Sequence, residues 1–377
     1  MKFSTSKSNL LAALSITGKC VSSRSIIPIL DNYLFNIDGD TLEITGSSQD
    51  VSLTTIIDIS GDGSKKLIAI PASRLIGLIQ SLPEVEVCFE VIEIEGNKDT
   101  LITVEISAGK GKYTIASERG VDFPILKNTE QVTFEIASAE MLSGINKTLF
   151  ACTVNGVESY GGLSLSFEEN RVTYSGVNGH LISTFTYPVL VDSHKSFIVP
   201  VKPLAILKSV PLDEKVKISI DDKSIVFRLN ANTVLKSVLS NSRYPDYKAV
   251  IPTSNSKELV VNRPELVASL RRVTQFANRV TDGIKIQIDS SGFTLIGEDT
   301  DFAQEAREAL DHTYSGDPIT ILFNGNYLIN CLSRLESDTV HLYMTEHNKP
   351  LIIREQPPAG SETSNLVLVA PQHQLNG

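Results

Sequence analysis

The sequence contains no tryptophan, only four cysteines and no long apolar run. A helix that spans a membrane needs about 20 consecutive apolar residues, so we expect no membrane-spanning helix and no membrane partner. The N-terminal segment is amphipathic and interrupted by polar residues, unlike a signal peptide. The cysteines Cys20, Cys88, Cys152 and Cys331 lie far apart without CxxC spacing, as is typical of reduced thiols in a cytoplasmic protein.

Motifs of the common catalytic sites are also missing. We find no GxSxG, no Walker A loop, no GxGxxG between a strand and a helix, and no HExxH. The six histidines are scattered without ligand spacing, and paired carboxylates such as Glu168–Glu169 fall in predicted hairpin turns. The sequence therefore predicts no catalytic residue, cofactor or metal site. An enzyme with an unrecognised site stays open as an alternative.

The net charge is negative and the aromatic content is low, and both are unusual for a protein that binds nucleic acid. The net charge of −10 argues against tight binding through neutralised phosphates. Aromatic residues make up 6% of the chain, which argues against stacking of single-stranded bases. The placement of the charges still has to be considered.

A helical pattern recurs six times, at intervals of about 63 residues. Each copy opens with a capping residue or proline, carries apolar residues at helical spacing and leads into β-rich sequence. The apolar residues that head the six copies are Leu10, Leu75, Met141, Leu204, Leu266 and Leu328. A period this steady indicates one unit copied three times, each unit being two similar halves.

Three glycines support the same register. Gly46, Gly176 and Gly297 each follow a β-branched or alternating run at matching positions of the repeat. A turn or bulge residue with a free φ is expected there.

The segments between the helices read as short strands separated by hairpin-turn signals. Each half-unit is predicted to hold one helix and about four strands, which makes the fold class α+β with antiparallel sheets. We expect three domains, at residues 1–125, 130–250 and 251–377. Because such an arc exposes a sheet edge at each end, a head-to-tail homodimer could close it into a ring.

Basic residues lie on or beside the repeated helices, whereas acidic residues gather in strands and turns. One interpretation is ordinary helices with solvated basic faces. The other is a common surface that attracts phosphates weakly and without sequence preference. The basic residues are Lys7, Lys19, Lys147, Lys202, Lys208, Arg271, Arg272, Arg279 and Arg334.

Several segments resemble the bacterial β sliding clamps, the processivity subunits of DNA polymerase III. They are MKFSTSKSNLLAAL, SRSIIPILDNYLF, GSSQDVSL, VNGHLIS, SRYPDYKAVIP and YLINCLSRLESDTVHLYM, in that order along the chain. The resemblance covers essentially the whole sequence. It implies a ring-shaped homodimer around double-stranded DNA that serves the replicative polymerase, the clamp loader, repair polymerases and mismatch-repair proteins.

The resemblance also assigns residues to three surfaces. Arg24 and Lys202 match DNA-facing residues, and Lys147, Lys208 and Arg334 join them from the basic helices. A partner-peptide pocket between the second and third domains would be lined by Tyr160, Val177, Gly179, His180, Ile182, Pro245, Val250, Leu368 and Pro371. The dimer interface would include Arg74, Ile76, Leu78, Arg271, Phe276, Glu298 and Glu305, with the strand KYTIAS.

The chain departs from the family pattern around this pocket. Leu181 stands where the family has an arginine, Ala249 replaces a basic residue, and Ala370 and Gln372 flank Pro371 in place of two methionines. Because methionines adapt to varied ligands, we expect broader, shallower and weaker peptide binding. A repeated β-rich scaffold for another ligand, such as a carbohydrate or protein, remains the alternative from a different class.

Overall fold

The computed structural model describes residues 1–22, 26–95, 100–126, 132–154, 156–168, 170–191, 194–356 and 362–372. The chain divides into two compact units. Unit 1 comprises Met1–Ser138 and Lys202–Leu239, and unit 2 comprises Ala139–Val201 and Ser240–Gly377. The second predicted domain is thus shared between the units, and the three predicted domain boundaries stay a prediction.

All six predicted helices are present. They are α1 (Lys7–Thr17), α2 (Ala72–Ser81), α3 (Ser138–Thr148), α4 (Val201–Leu207), α5 (Arg263–Val273) and α6 (Gly325–Leu332). The predicted caps act at several starts: the side chains of Ser6, Asn262 and Asn324 each accept a hydrogen bond from a first-turn amide. The six apolar residues that head the repeats are all buried, so the periodic pattern identified the core face of every helix.

The strands are short and numerous, as the turn signals predicted. In chain order they are β1 (Lys2–Ser6), β2 (Asn32–Asp38), β3 (Thr41–Ser47), β4 (Val51–Asp58), β5 (Ser60–Gly61), β6 (Lys65–Pro71), β7 (Glu86–Glu95), β8 (Thr100–Ala108), β9 (Gly111–Arg119), β10 (Val132–Ala137), β11 (Thr153–Val154), β12 (Val157–Glu158), β13 (Leu163–Glu168), β14 (Arg171–Val177), β15 (Leu181–Pro188), β16 (Ser196–Val199), β17 (Lys215–Ile220), β18 (Ser224–Arg228), β19 (Thr233–Val238), β20 (Lys257–Asn262), β21 (Gly283–Asp289), β22 (Gly292–Asp299), β23 (Gln304–Leu310), β24 (His312–Ser315), β25 (Ile319–Asn324), β26 (Thr339–Met344), β27 (Leu351–Glu355) and β28 (Ser364–Val369).

Unit 1 contains one antiparallel sheet of 13 strands, in the order β10-β17-β18-β19-β4-β3-β2-β6-β9-β8-β7-β1-β5. Leu10 and Leu14 of α1 pack with Leu75 and Ile79 of α2 in a core that this sheet covers. The β4–β19 pairing joins strands that are far apart in sequence, with Leu53 opposite Leu235.

Unit 2 contains a nine-stranded and a four-stranded antiparallel sheet. Their orders are β16-β13-β14-β15-β28-β27-β26-β20-β24 and β23-β22-β21-β25. In the larger sheet β15 pairs with β28, so that strands from the second and third predicted domains are neighbours. The smaller sheet packs against α5 and α6, whose Leu266 and Leu328 are buried in the shared core.

The four cysteines are free thiols, and all but Cys88 are buried. Burial raises the pKa of the Cys152 thiol to about 12, so this thiol is protonated and unreactive at neutral pH. Among the described residues no helix is long and apolar enough to cross a membrane.

Each of the three repeated glycines lies where a strand approaches a helix end. A Cβ on Gly46 would meet the Thr17 carbonyl oxygen at 2.1 Å, and one on Gly176 would meet that of Thr148 at 2.1 Å. At Gly297 the corresponding atom is the Val273 carbonyl oxygen, at 2.4 Å. The prediction that these glycines are turn or bulge residues with a free φ is wrong, because all three lie in strands and none has a positive φ. Glycine is needed here for close approach.

A buried ion pair joins α3 to β27 inside unit 2. The Lys147 ammonium contacts the Glu355 carboxylate, and both side chains are more than nine-tenths buried. Lys147 also lies 3.4 Å from Glu336 and 5.4 Å from the centre of the Phe185 ring. The second Glu355 oxygen accepts from the amide of Glu336 at 2.8 Å. Breaking such a pair would leave an uncompensated buried charge.

We predict that Gly176→Ala lowers the free energy of unfolding by about 1–3 kcal/mol, because the added methyl group overpacks against a backbone carbonyl. Gly179→Ala is the matched control three residues away, since a Cβ there meets nothing within 4 Å. Calorimetric melting of both variants checks this. Equal melting temperatures would contradict the close-approach explanation.

We predict that Lys147→Met destabilises unit 2 by about 3–5 kcal/mol, because Glu355 is left charged and buried. Adding Glu355→Gln should restore much of the lost stability. The exposed Arg334→Met serves as the control and should change the melting temperature little. Equal melting temperatures for the single variant Lys147→Met and the double variant would contradict this explanation.

Candidate functional site

An apolar row crosses three neighbouring strands of unit 2. Val177 of β14 lies opposite Ile182 of β15, and Ile182 lies opposite Leu368 of β28. These three side chains form one cluster and are each about 95% buried. We call it the β15 row. It brings together three residues predicted for the peptide pocket.

A proline-containing turn covers one side of the β15 row. Tyr244, Tyr247 and Ile251 pack against the cluster, as does Leu366 of β28. The Tyr244 hydroxyl donates to the Ser175 carbonyl at 2.5 Å, and the Tyr247 hydroxyl lies 2.7 Å from the Ser175 hydroxyl. Burial raises the pKa of Tyr244 strongly, so its phenol remains a donor at neutral pH.

The remaining predicted pocket residues lie on the elements around this row. Tyr160 adopts a positive φ of 50° and meets the Tyr244 ring edge-on at 6.4 Å. Val250, on the 3₁₀ turn Tyr247–Val250, is 57% exposed. Pro245 belongs to the segment that leads into this turn and is half-buried. An exposed aromatic and an exposed valine beside a buried apolar floor can hold the apolar part of a partner.

An Asn178 turn positions Gly179 and His180. The Asn178 carboxamide oxygen accepts from the amides of His180 and Leu181, each at 2.8 Å. The His180 ring lies 5.3 Å from the Tyr327 ring, and its carbonyl accepts from the Ala370 amide at 2.9 Å. The hydrogen bond between Ala370 and His180 extends the β15–β28 ladder by one step, as far as the residue before Pro371.

The departures from the family pattern have different structural outcomes. Leu181 is 98% buried in the large core cluster on the opposite face of the sheet, so it does not line the β15 row as expected. Alternation along β15 causes this, because neighbouring residues in a strand point to opposite faces. Ala249 is exposed, and Gln372 is held by the carbonyls of Leu322 and Thr281.

Three strands of unit 1 pair in the same register as β14, β15 and β28, but they have polar residues at the positions of the β15 row. There Ser47 of β3 lies opposite Ser52 of β4, and Ser52 lies opposite Lys236 of β19. The main-chain bond from Val238 to Asp50 matches the one from Ala370 to His180. The backbone repeats, but of these two described sets of strands the one in unit 2 carries the apolar side chains.

Sequence reasoning missed Tyr244, Tyr247, Ile251, Leu366 and Tyr327. A signal existed for two of them: tyrosines three residues apart in a proline-containing segment predict a turn with two aromatic anchors. Tyr327 becomes part of the site only because α6 begins close to His180.

The predicted DNA-facing residues have unequal environments. Lys202, Lys208 and Arg334 are exposed, each on or just after a repeated helix. Lys147 is 94% buried and neutralised by Glu355, so its prediction as a DNA-facing cation is not supported. Arg24 lies outside the described residues.

The predicted interface residues occur in both units, and each unit has an open sheet edge among the described strands. In unit 1, β9 pairs with β8 along its length but with β6 only at Glu118 and Arg119, so most of its second edge is open among the described strands. In unit 2, the described neighbour of β23 is β22 alone. Glu298 and Glu305 belong to β22 and β23, Arg271 and Phe276 to the helical segments that pack against those strands, and Arg74, Ile76 and Leu78 to α2. Arg74, Arg271, Phe276 and Glu305 are exposed, and Ile76, Leu78 and Glu298 are half-buried. Glu298 is paired with Lys285, and Glu305 with Arg307.

No group of three or more metal-ligating side chains occurs in the part of the chain that the structure describes.

Comparison with known proteins identifies the chain along nearly its whole length. Family models of the DNA polymerase III beta subunit match it as N-terminal domain (residues 1–127), central domain (135–246) and C-terminal domain (248–368). The Beta sliding clamp of Vibrio cholerae is 25% identical over 360 residues, covering 94% of this chain and 95% of the relative. That of Escherichia coli K12 is 24% identical over 353 residues, covering 92% and 93%.

Solved structures agree in fold. The sliding clamp of Pseudomonas aeruginosa bound to griselimycin superposes with a TM-score of 0.89 at 23% identity, covering 99% of both chains. The DNA polymerase III beta subunit of Thermotoga maritima gives 0.85 at 18% identity, again over 99% of both chains. With three consecutive domain models matched and the six helices of the repeat in place, this chain belongs to the DNA polymerase III beta subunit family.

Proposed function

We propose that this chain is a DNA sliding clamp, a head-to-tail homodimeric ring that encircles duplex DNA and keeps the replicative polymerase on its template. The observation that carries this proposal is the match of three consecutive beta-subunit domain models to one chain with a sixfold helix repeat. Such a ring needs no catalytic residue, because it acts by topological linkage.

The two open sheet edges support dimerisation. An unpaired strand edge is a template for pairing with another chain, and a long exposed edge is normally covered. A head-to-tail contact would place β9 of one protomer against β23 of the other and repeat it once by two-fold symmetry.

Exposed cations on the helices support sliding without sequence readout. Lys202, Lys208 and Arg334 offer long, solvated side chains, and we include Arg24 by its sequence position. Because the whole chain carries a net charge of −10, these cations attract phosphates only weakly. Weak attraction is what a sliding ring requires.

The β15 row supports a docking site for partner peptides. Its floor is apolar, its rim holds Tyr160, His180 and Val250, and the turn over it is fixed by two tyrosine hydroxyls. We infer that the replicative polymerase, the clamp loader, repair polymerases and mismatch-repair proteins use this site in the cytoplasm. Each would insert the apolar end of an extended segment.

We predict that the loaded protein stays on nicked circular DNA and is lost when the circle is linearised. Gel filtration of labelled protein on the two DNA forms measures this. Sedimentation should give about twice the chain mass of 41.1 kDa. A monomer, or equal retention on linear DNA, would contradict the ring.

The interface itself is tested by Phe276→Asp. Phe276 is 42% exposed, so the substitution should leave the fold intact while placing an unpaired charge at the contact. We expect loss of both the dimer and the retention on circles. Val157→Asp, at a 69% exposed valine outside the predicted interface, should change neither.

We predict that Val250→Asp weakens peptide binding at least about tenfold, since a charge would be desolvated beside the apolar floor. Fluorescence anisotropy of a labelled clamp-binding segment of a bacterial replicative polymerase measures the affinity. Leu190→Asp, also in unit 2 and 88% exposed, is the matched control. If both variants bound like the original chain, the peptide site would lie elsewhere.

A further inference from the structure

A second cleft lies in unit 2, between α3 and the start of β28. It has a volume of about 980 Å³, within the range of small-ligand and peptide sites. One face of α3 forms a wall through Glu140, Ser143 and Lys147, and Phe185 and Asn365 contribute from β15 and β28. We call it the α3–β28 cleft.

Asn365 is the unusual residue of this cleft. Its side chain is 91% buried, yet neither the carboxamide nitrogen nor the carboxamide oxygen has a hydrogen-bond partner among the described residues. Leaving such a group unpaired in the interior is unfavourable, because its hydrogen bonds to water are lost without replacement. Asn365 belongs to the β15–β28 ladder, opposite Phe185, so the strand holds it in place.

The chemistry of the Asn365 carboxamide limits which ligand groups could form its missing hydrogen bonds. It presents a donor and an acceptor side by side, which matches the C=O and N–H of a peptide group. The edge of a nucleobase could offer the same pair, so a further observation has to separate the two.

The charge of the cleft distinguishes a peptide ligand from a nucleotide ligand. The carboxylates of Glu140, Glu336 and Glu355 outnumber the cations Lys147 and Arg354. Lys147 is already paired with Glu355 and also lies 3.4 Å from Glu336. Counting Arg354, the carboxylates exceed the cations by one, and Glu140 and the 74% exposed side chain of Glu336 carry this excess. An excess of negative charge repels phosphate and attracts a basic side chain.

We propose that the α3–β28 cleft binds an extended peptide segment that carries a basic side chain. The Asn365 carboxamide pairs with the peptide main chain, and Glu140 and Glu336 hold the lysine or arginine. This site is separate from the β15 row, because Asn365 and Leu368 lie on opposite faces of β28 by strand alternation. It does not depend on the sliding-clamp function.

The test uses the full-length chain and four small probes in saturation-transfer-difference NMR. They are N-acetyl-arginine N-methylamide, its norleucine and glutamate counterparts, and AMP. We expect affinity to fall from the arginine to the norleucine to the glutamate probe, with no binding of AMP. Binding of AMP without the arginine probe, equal affinity of the three amides, or no binding at all would each overturn the proposal.

Variants then locate the binding. Asn365→Leu should weaken the arginine probe about tenfold through two lost hydrogen bonds. Asn146→Leu, at an exposed asparagine of α3 that does not line the cleft, is its matched control and should bind normally. Glu140→Gln, on the half-buried rim, should cost about threefold without disturbing the fold. If Asn365→Leu and Asn146→Leu bound alike, or if Val250→Asp at the rim of the β15 row abolished binding, the α3–β28 cleft would not be the site.

Discussion

Main-chain pairing between β15 and β28 is the interaction on which both candidate sites of unit 2 depend. It runs from Leu181–Val369 to Thr186–Ser364 and joins residues that lie 178 to 188 positions apart in the sequence. One face of this ladder presents Ile182 and Leu368 to the β15 row, whereas the other buries Leu181 and Asn365. The two surfaces are therefore coupled through a single register, and a slip of one residue would exchange them.

The Lys147–Glu355 pair strengthens the same junction from the core side. It attaches α3, which precedes β15, to β27, which precedes β28. An ion pair so deeply buried contributes little net stability compared with apolar packing, but it strongly disfavours any arrangement that separates its partners. We interpret it as a contact that specifies how α3 meets the sheet rather than as part of a DNA-binding surface.

Repetition of the backbone without repetition of the side chains explains why, within the described structure, we place the proposed peptide site in unit 2. The register of β3, β4 and β19 reproduces that of β14, β15 and β28, including a matching terminal hydrogen bond. Ser47, Ser52 and Lys236 nevertheless replace the three apolar residues of the β15 row. Hydroxyls and an ammonium group prefer water or polar partners, so this surface cannot hold an apolar peptide end.

The sequence by itself determined the features that depend on local spacing. The six helices, their buried apolar heads and the capping residues Ser6, Asn262 and Asn324 follow from periodicity and short-range hydrogen bonding. It also marked the three repeat glycines, although it assigned them the wrong physical reason. Resemblance to a family supplied Val177, Ile182, Leu368 and Pro245 for the proposed pocket, and the structure brings the first three together in one cluster.

Only the tertiary structure decided the contacts between residues distant in sequence. It buried Lys147 against Glu355, turned Leu181 into the core, brought Tyr327 to His180 and left the Asn365 carboxamide without a partner. None of these could be read from local pattern, because a lysine on an amphipathic helix looks the same whether it meets solvent or a carboxylate 208 residues away. Local propensity selects the elements, whereas long-range strand register selects which side chains meet.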